Sequence, residues 1–242
     1  MIPMQNHKTS RLLWIVLAVS IAGVGLAMLL MPRPDASTDQ ATVAVTSNQL
    51  ADIVRSVAGP DIAVVTILPP GANSHTFEPT PATLASIRNA KVVYAVGHGF
   101  DAWVNVLVAD LRLPVMTVDR GVPLRASGTS IGDGAAADEE DGDGPIDPHY
   151  WLDARNAATI AATVAEDLSA RFPDRREEII TNLEATRTRL LAADAEIRSI
   201  LSGLVQRDIV TLHDAWYYFA DAYGLHVVGS FEPSAAREPS PQ

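Results

Sequence analysis

The pattern of hydrophobic and polar positions from residue 42 onward alternates between short β-branched runs and longer segments with helical spacing. Short apolar runs are typical of buried strands, whereas apolar residues three or four positions apart are typical of helices. The predicted strands are 42–45, 61–68, 91–96, 115–118, 208–212 and 225–231. The predicted helices are 48–57, 81–89, 100–111, 154–172, 175–204 and 217–223.

Strands that alternate with helices predict an α/β fold in which parallel strands are joined by right-handed crossovers. Binding sites in such sheets lie at the carboxyl ends of the strands. His75 comes shortly after the second predicted strand. We therefore expect His75 at this edge of the sheet.

The helix predicted over 175–204 is too long for an ordinary crossover. At ~1.5 Å per residue it would extend over ~45 Å. It carries apolar residues at spacings of three, four or seven, namely Leu183, Leu190, Ile197, Leu201 and Leu204. We expect it to be a rigid spine between two βα lobes. Only two predicted strands and one helix follow it, so the second lobe is expected to be incomplete.

The N-terminus has the pattern of an export segment. Lys8 and Arg11 precede a uniformly apolar stretch over 12–31, and a proline-rich break follows it. A spanning helix needs about 20 such residues, whereas the apolar centre of a secretory signal has roughly 7–15. Ala36 is a poor cleavage site, which favours an uncleaved membrane anchor over a cleaved signal. The positive flank predicts export of the remainder to the periplasm or the outer face of the plasma membrane.

The charge and the amino-acid composition exclude several classes of partner and of metal site. The formal net charge of −11, without a basic stripe, argues against a nucleic-acid partner. The chain has no cysteine, which excludes disulfides, iron–sulfur clusters and thiolate zinc sites. An acidic run over 133–143 lies in a polar, glycine-rich loop. It is interpreted as a solvated loop, with a low-affinity cation collector beside His149 as the alternative.

Three histidines occupy positions that suit metal coordination. His75 follows a strand, His149 lies in an Asp-Pro-His-Tyr-Trp turn, and His213 follows the strand predicted over 208–212. Neutral imidazole is a preferred ligand of zinc and related divalent ions. The chain has no His-Glu-x-x-His pair and no Gly-x-Ser-x-Gly elbow. The residues alone therefore indicate an exported α/β protein with a divalent-metal site.

Three local strings extend this interpretation. Residues 71–81 around His75, 147–153 around His149 and 213–225 around His213 occur in this order along the chain. Each resembles a ligand loop of the zinc/manganese solute-binding proteins of ABC importers. The resemblance implies two βα lobes, a long connecting helix, and an ion held in the cleft between the lobes by the three histidines.

The resemblance also implies an activity and a set of partners. A chain of this kind is a monomeric, non-enzymatic component that captures a metal ion and delivers it to an ABC permease. Histidine in the third motif favours Zn²⁺, whereas manganese binders of the family tend to have a carboxylate there. Binding should depend on pH, because protons compete for imidazoles. The family's fourth ligand comes from a later strand, so here water would complete the site or the site would be weakened.

The predicted organisation has four parts. These are a signal or anchor segment over 1–34, an N-terminal metal-binding lobe over 41–172, the spine helix over 174–204, and a partial C-terminal lobe over 207–242.

Two other functions remain open. An open three-histidine zinc site is also found in hydrolases, and Glu78 is the only nearby candidate for a general base. A metal-dependent surface adhesion protein is the second alternative.

Other residues near the motifs receive structural interpretations. His98 is a candidate for the rim of the cleft, and Asp214 is a candidate for orienting an imidazole or capping a helix. Packing around the cleft is expected of the aromatic residues Tyr150, Trp151, Trp216 and Tyr217.

Overall fold

The computed structural model describes residues 40–74, 76–127 and 145–232. The described residues from Ala41 onward belong to one compact unit. None of the helices in these ranges combines the length and apolar character that crossing a membrane requires. The predicted anchor over 12–31 and the acidic run over 133–143 lie outside the described residues.

A four-stranded parallel sheet forms the larger part of the fold. Its strands follow the spatial order β2-β1-β3-β4. They are β1 Thr42–Val45, β2 Ala63–Thr66, β3 Val93–Ala95 and β4 Val115–Thr117. Val43 is paired with Val64 of β2, and Ala44 is paired with Val93 of β3. Strands β1 and β3 lie between neighbours and are the more deeply buried, as expected for a parallel sheet with both faces covered.

Within the described ranges, six α-helices accompany this sheet and a second, smaller one. They are α1 Asn48–Ala58, α2 Pro81–Ile87, α3 Trp103–Val108, α4 Ala154–Arg171, α5 Arg176–Leu201 and α6 Tyr217–Tyr223. Side chains cap the N-termini of α1 and α4. The Ser47 side chain accepts from the Leu50 N–H (3.3 Å), and Asp153 accepts from the Arg155 N–H (2.8 Å). These side chains satisfy backbone donors that have no partner within the helix.

The second sheet consists of two parallel strands, β5 Asp208–His213 and β6 His226–Glu232. Helix α6 connects them, as the predicted strand–helix–strand pattern requires. A small apolar cluster of Ala220, Leu225 and Val227 packs against Leu201 at the end of α5.

Helix α5 contacts both parts of the fold. Near its N-terminus, Asn182 Nδ2 donates to the Val57 carbonyl and Thr186 Oγ1 donates to the Ser56 carbonyl, both at 3.3 Å. Near its C-terminus, Arg198 Nη1 donates to the Ala222 carbonyl of α6 (2.7 Å). Its 26 residues correspond to about 39 Å. The predicted long helix is therefore confirmed, whereas the predicted domain boundaries stay a prediction.

The main apolar core lies between the larger sheet and helices α1, α4 and α5. Tyr94, Ile160, Leu168 and Ile179 are fully buried there. A second cluster around Ala44, Ile87, Val93 and Val104 covers the opposite face of the sheet. The predicted α/β class with parallel sheets and a long helix is confirmed.

Candidate metal centre

A cavity of about 390 Å³ lies where several strands end. Its walls come from segments that follow β1, β2, β3 and β5, together with the turn that precedes α4. The lining residues are Gln49, Leu68, Ala72, Asn73, Ser74, Phe100, His149, Trp151, Leu152, His213, Ala215 and Trp216. This is the edge at which parallel α/β sheets bind their ligands.

His149 is held rigidly at the wall of this cavity. It is 4 % exposed and precedes a short 3-10 turn, Tyr150–Leu152. Tyr150 Oη donates to the Val96 carbonyl at the end of β3 (2.8 Å), and Asn156 Nδ2 of α4 donates to the Tyr150 carbonyl (3.0 Å). The turn is thus tied to both the sheet and the following helix.

Asp147 determines which imidazole nitrogen of His149 is available. Its Oδ1 accepts from the backbone N–H and from Nδ1 of His149, each at 2.9 Å. A carboxylate oxygen beside Nδ1 suits the tautomer in which Nδ1 donates, and that tautomer offers Nε2 as the nitrogen available to a metal ion. Asp147 is 4 % exposed, and its Oδ2 has no hydrogen-bond partner among the described residues. A buried carboxylate of this kind favours a cation nearby.

His213 is the last residue of β5 and lines the same cavity. Its ring centroid lies 5.4 Å from that of His149, with an interplanar angle of 82°. The two histidines are separated along the chain by all of α4 and α5. The fold therefore brings together two of the three predicted ligands.

His75, the third predicted ligand, lies outside the described residues. The two residues before it, Asn73 and Ser74, line the cavity, and Trp103 Nε1 donates to the Ser74 carbonyl (3.1 Å). Within the described ranges, no three histidine, aspartate or glutamate side chains are grouped closely enough to hold a metal ion. The described part of the candidate site is therefore the His149–His213 pair.

Aromatic side chains enclose this pair. The ring of Trp151 lies 5.3 Å from His149 and 5.2 Å from Phe100, and Trp216 lines the cavity beside them. Phe100 and Trp151 therefore pack against His149, as predicted for Trp151, whereas Trp216 is 40 % exposed and its ring contacts Phe219. Burial of Asp147 beside these rings lowers the local dielectric constant relative to water, which would strengthen the attraction of its carboxylate for a nearby cation.

Asp214 adds a second carboxylate beside His213. Burial raises its pKa, and the nearby Asp147 adds to the rise, whereas a hydrogen bond from Tyr217 and the two imidazoles oppose it. Helix α6 has Trp216 as its N-cap residue and no side-chain cap. The predicted capping role of Asp214 is therefore absent.

His98, His226 and Glu78 are not among the residues that line the cavity. His98 Nε2 is paired with Asp119 Oδ2 (2.8 Å), and the exposed His226 Nδ1 is paired with Asp208 Oδ1 (3.1 Å). Glu78 is exposed and is not among the lining residues. His98 is therefore part of a hydrogen-bonded pair with Asp119 rather than of the cavity wall.

Sequence reasoning missed one contact that the structure makes prominent. Tyr218 of α6 donates through Oη to the Asp147 carbonyl (3.2 Å) and accepts from the Arg125 N–H (2.9 Å). Burial raises the pKa of Tyr218, so its hydroxyl stays protonated and can donate at neutral pH. The only signal in the sequence is its position within the third motif, five residues after His213.

Two known proteins are similar in sequence to this chain. The manganese-binding lipoprotein MntA of Halalkalibacterium halodurans is 32 % identical over 195 residues, which is 79 % of this chain and 61 % of MntA. The iron ABC transporter substrate-binding lipoprotein MtsA of Streptococcus pyogenes is 28 % identical over 212 residues, which is 85 % of this chain and 66 % of MtsA. The chain thus spans slightly less than two thirds of the length of these relatives.

The fold gives the same assignment. A crystal structure of ZnuA superimposes with a TM-score of 0.69 and 28 % identity, covering 83 % of this chain and 74 % of ZnuA. Residues 43–242 match the family described as ZnuA, zinc-uptake complex component A, periplasmic. With the motifs, the fold and this match in agreement, the chain belongs to the ZnuA family of metal solute-binding proteins of ABC importers.

Proposed function

We propose that this chain is the extracytoplasmic solute-binding component of an ABC metal importer, and that it captures Zn²⁺ without turnover. His75, His149 and His213 supply the imidazole ligands, and a membrane permease receives the ion. The observation that carries this proposal is the His149–His213 pair at the wall of a cavity where β-strands end. The family assignment supports the transport role.

The separation of the two rings suits a shared ion. An imidazole bound to zinc through a nitrogen at about 2.0–2.1 Å has its ring centre about 3.2 Å from the ion, so two tetrahedral ligands have ring centres about 5.2 Å apart. The centroid separation of His149 and His213 is 5.4 Å. The third ligand is inferred from the sequence motif and from the place of Asn73 and Ser74 in the cavity wall.

The ligand type favours zinc over manganese. Relatives of this chain carry names that specify manganese and iron, so membership of the family leaves the ion open. Imidazole nitrogens suit zinc, whereas manganese prefers carboxylate, carbonyl and water oxygens, and a given nitrogen site binds Zn²⁺ more tightly than Mn²⁺. A set of three histidines therefore points to zinc.

The predicted architecture is part of the same proposal. A metal-binding lobe over 41–172 and a further lobe from 207 would meet at the cavity, with α5 as the connecting spine and an N-terminal segment that directs export or anchors the chain. Contacts of α5 with both α1 and α6 support this role for the helix. The chain would act as a monomer.

Titration of Zn²⁺ and Mn²⁺ into the full chain tests the proposal. We expect one zinc ion per chain and an affinity for Zn²⁺ at least about tenfold higher than for Mn²⁺, following the order of divalent metals at nitrogen ligands. Isothermal calorimetry with a competing chelator gives both constants. Absence of saturable zinc binding, or tighter binding of Mn²⁺, would contradict the proposal.

A further inference from the structure

The side chain of Tyr218 joins two parts of the fold that carry the candidate ligands. Tyr218 is 6 % exposed and lies in α6, which begins four residues after His213. Its hydroxyl is hydrogen-bonded to two backbone groups, the Arg125 N–H and the Asp147 carbonyl. Both bonds connect residues more than 70 positions apart in the sequence.

The two backbone segments to which the Tyr218 hydroxyl is hydrogen-bonded are paired with each other. Ala126 and Ile146 form an antiparallel bridge, and the Asp147 N–H donates to the Arg125 carbonyl (3.1 Å). The Tyr218 hydroxyl is therefore hydrogen-bonded to both segments of this bridge, in one case at Asp147, two residues before His149.

The side chain of Arg125 also contacts α6. We refer to these contacts and the two hydrogen bonds of the Tyr218 hydroxyl together as the junction. Its guanidinium lies over the ring of Tyr217, 4.6 Å from the centroid, and its Nε is 3.6 Å from Asp221 Oδ2. Arg125 thus contacts α6 through one cation–π contact, one ion pair and the backbone hydrogen bond to Tyr218.

This junction leads directly to both imidazoles. On one side, the Asp147 carbonyl accepts a hydrogen bond from the Tyr218 hydroxyl, and the Asp147 carboxylate is hydrogen-bonded to His149 Nδ1. On the other side, the His213 carbonyl accepts from the Ala215 N–H (2.9 Å) in the short turn that leads into α6. Loss of the hydroxyl would remove the hydrogen bond from α6 to the Asp147 carbonyl and would leave only the side-chain contacts of Arg125 to join these segments to α6.

We infer that Tyr218 is a positioning residue for metal capture: its hydroxyl fixes the separation of His149 and His213 by tying Arg125 and Asp147 to α6. This inference rests on the proposed function. It assigns the strength of metal binding partly to a residue that does not line the cavity.

Tyr218→Phe tests the inference because it removes only the hydroxyl. Tyr94→Phe is the matched control, since Tyr94 is also a buried tyrosine and donates to Asp167 Oδ2 (2.7 Å) away from the cavity lining. We expect Tyr218→Phe to weaken zinc binding by roughly tenfold, the usual scale for a group that supports a ligand. Tyr94→Phe should bind zinc as the wild type does.

A spectroscopic readout separates positioning from loss of stability. The visible absorption of bound Co²⁺ reports the geometry of its ligands, and we expect it to change in Tyr218→Phe but not in Tyr94→Phe. Wild-type affinity with an unchanged Co²⁺ spectrum in Tyr218→Phe would overturn the inference. A wild-type chain that binds neither Zn²⁺ nor Co²⁺ would instead overturn the proposed function and the inference with it.

A second variant covers the case in which Tyr218→Phe does not fold. Arg125→Leu removes the guanidinium contacts with Tyr217 and Asp221. It keeps the backbone N–H that donates to the Tyr218 hydroxyl. It loosens the same junction, so we expect weaker zinc binding and an altered Co²⁺ spectrum. Wild-type behaviour of this variant would overturn the inference.

Discussion

Replacing His149 with alanine is expected to weaken zinc binding by about 100-fold or more. Loss of a residue that merely supports a ligand typically costs 10–100-fold in metal affinity, so loss of the ligand should reach at least the upper end of that range. His149 is the buried imidazole whose Nε2 is left free by the bond between Nδ1 and Asp147. Calorimetric titration of zinc into wild type and variant measures the effect.

His226→Ala is the control for this experiment. His226 is also a histidine paired with an aspartate, but it is exposed and lies outside the cavity lining. It should bind zinc with wild-type affinity. If His149→Ala binds zinc as tightly as His226→Ala does, His149 is not a ligand.

Replacing Ile179 with alanine is expected to lower the free energy of unfolding by about 2–5 kcal/mol, the usual cost of cutting a large aliphatic side chain back to alanine in a core. Ile179 lies in the first turn of α5 and is fully buried in the main apolar cluster with residues of α1, α4 and the sheet. Removing its side chain leaves a cavity where the long helix meets the rest of the fold. Urea unfolding followed by circular dichroism measures the loss.

The adjacent residue offers a matched control. Ile180 is 45 % exposed on the same turn of the same helix. Ile180→Ala should change the free energy of unfolding by no more than about 0.5 kcal/mol, as is usual for surface positions. Equal losses for the two variants would show that α5 does not pack through Ile179.

The alternation of strands and helices could be predicted because local signals agree with the tertiary fold. Strand 42–45 and helix 217–223 have the predicted limits. Ser47, Thr80 and Asp153 precede three of these helices, and each forms a capping hydrogen bond of the kind that serine, threonine and aspartate favour.

Element ends were less predictable because tertiary contacts set them. Strand 61–68 is observed as Ala63–Thr66, although Ile67 and Leu68 stay buried and still bond to the backbone of β1 and the residue after it. Helix 100–111 begins only at Trp103 and ends in a 3-10 turn. The buried Asp101 carboxylate accepts from the Val96 and Gly97 N–H groups, which holds the preceding residues in a turn.

The sequence identified two histidines that line the cavity, but it did not identify the hydrogen bonds that support them. His149 and His213 stand in recognisable motifs, and the fold brings their rings together. Asp147 and Tyr218 act through hydrogen bonds whose partners depend on the fold, and no local pattern specifies the contact between Tyr218 and Arg125 across 93 positions. The hydrogen-bond partner of His98 could not be predicted either, because Asp119 comes from the segment after β4.

Anomalous diffraction at the zinc edge, from crystals of the full chain grown with Zn²⁺, would show whether His149 and His213 hold one ion. We expect one strong peak in the cavity, about 2.0–2.1 Å from a ring nitrogen of His149 and of His213. A peak bound to only one of these imidazoles, or a zinc ion held elsewhere on the chain, would contradict this expectation.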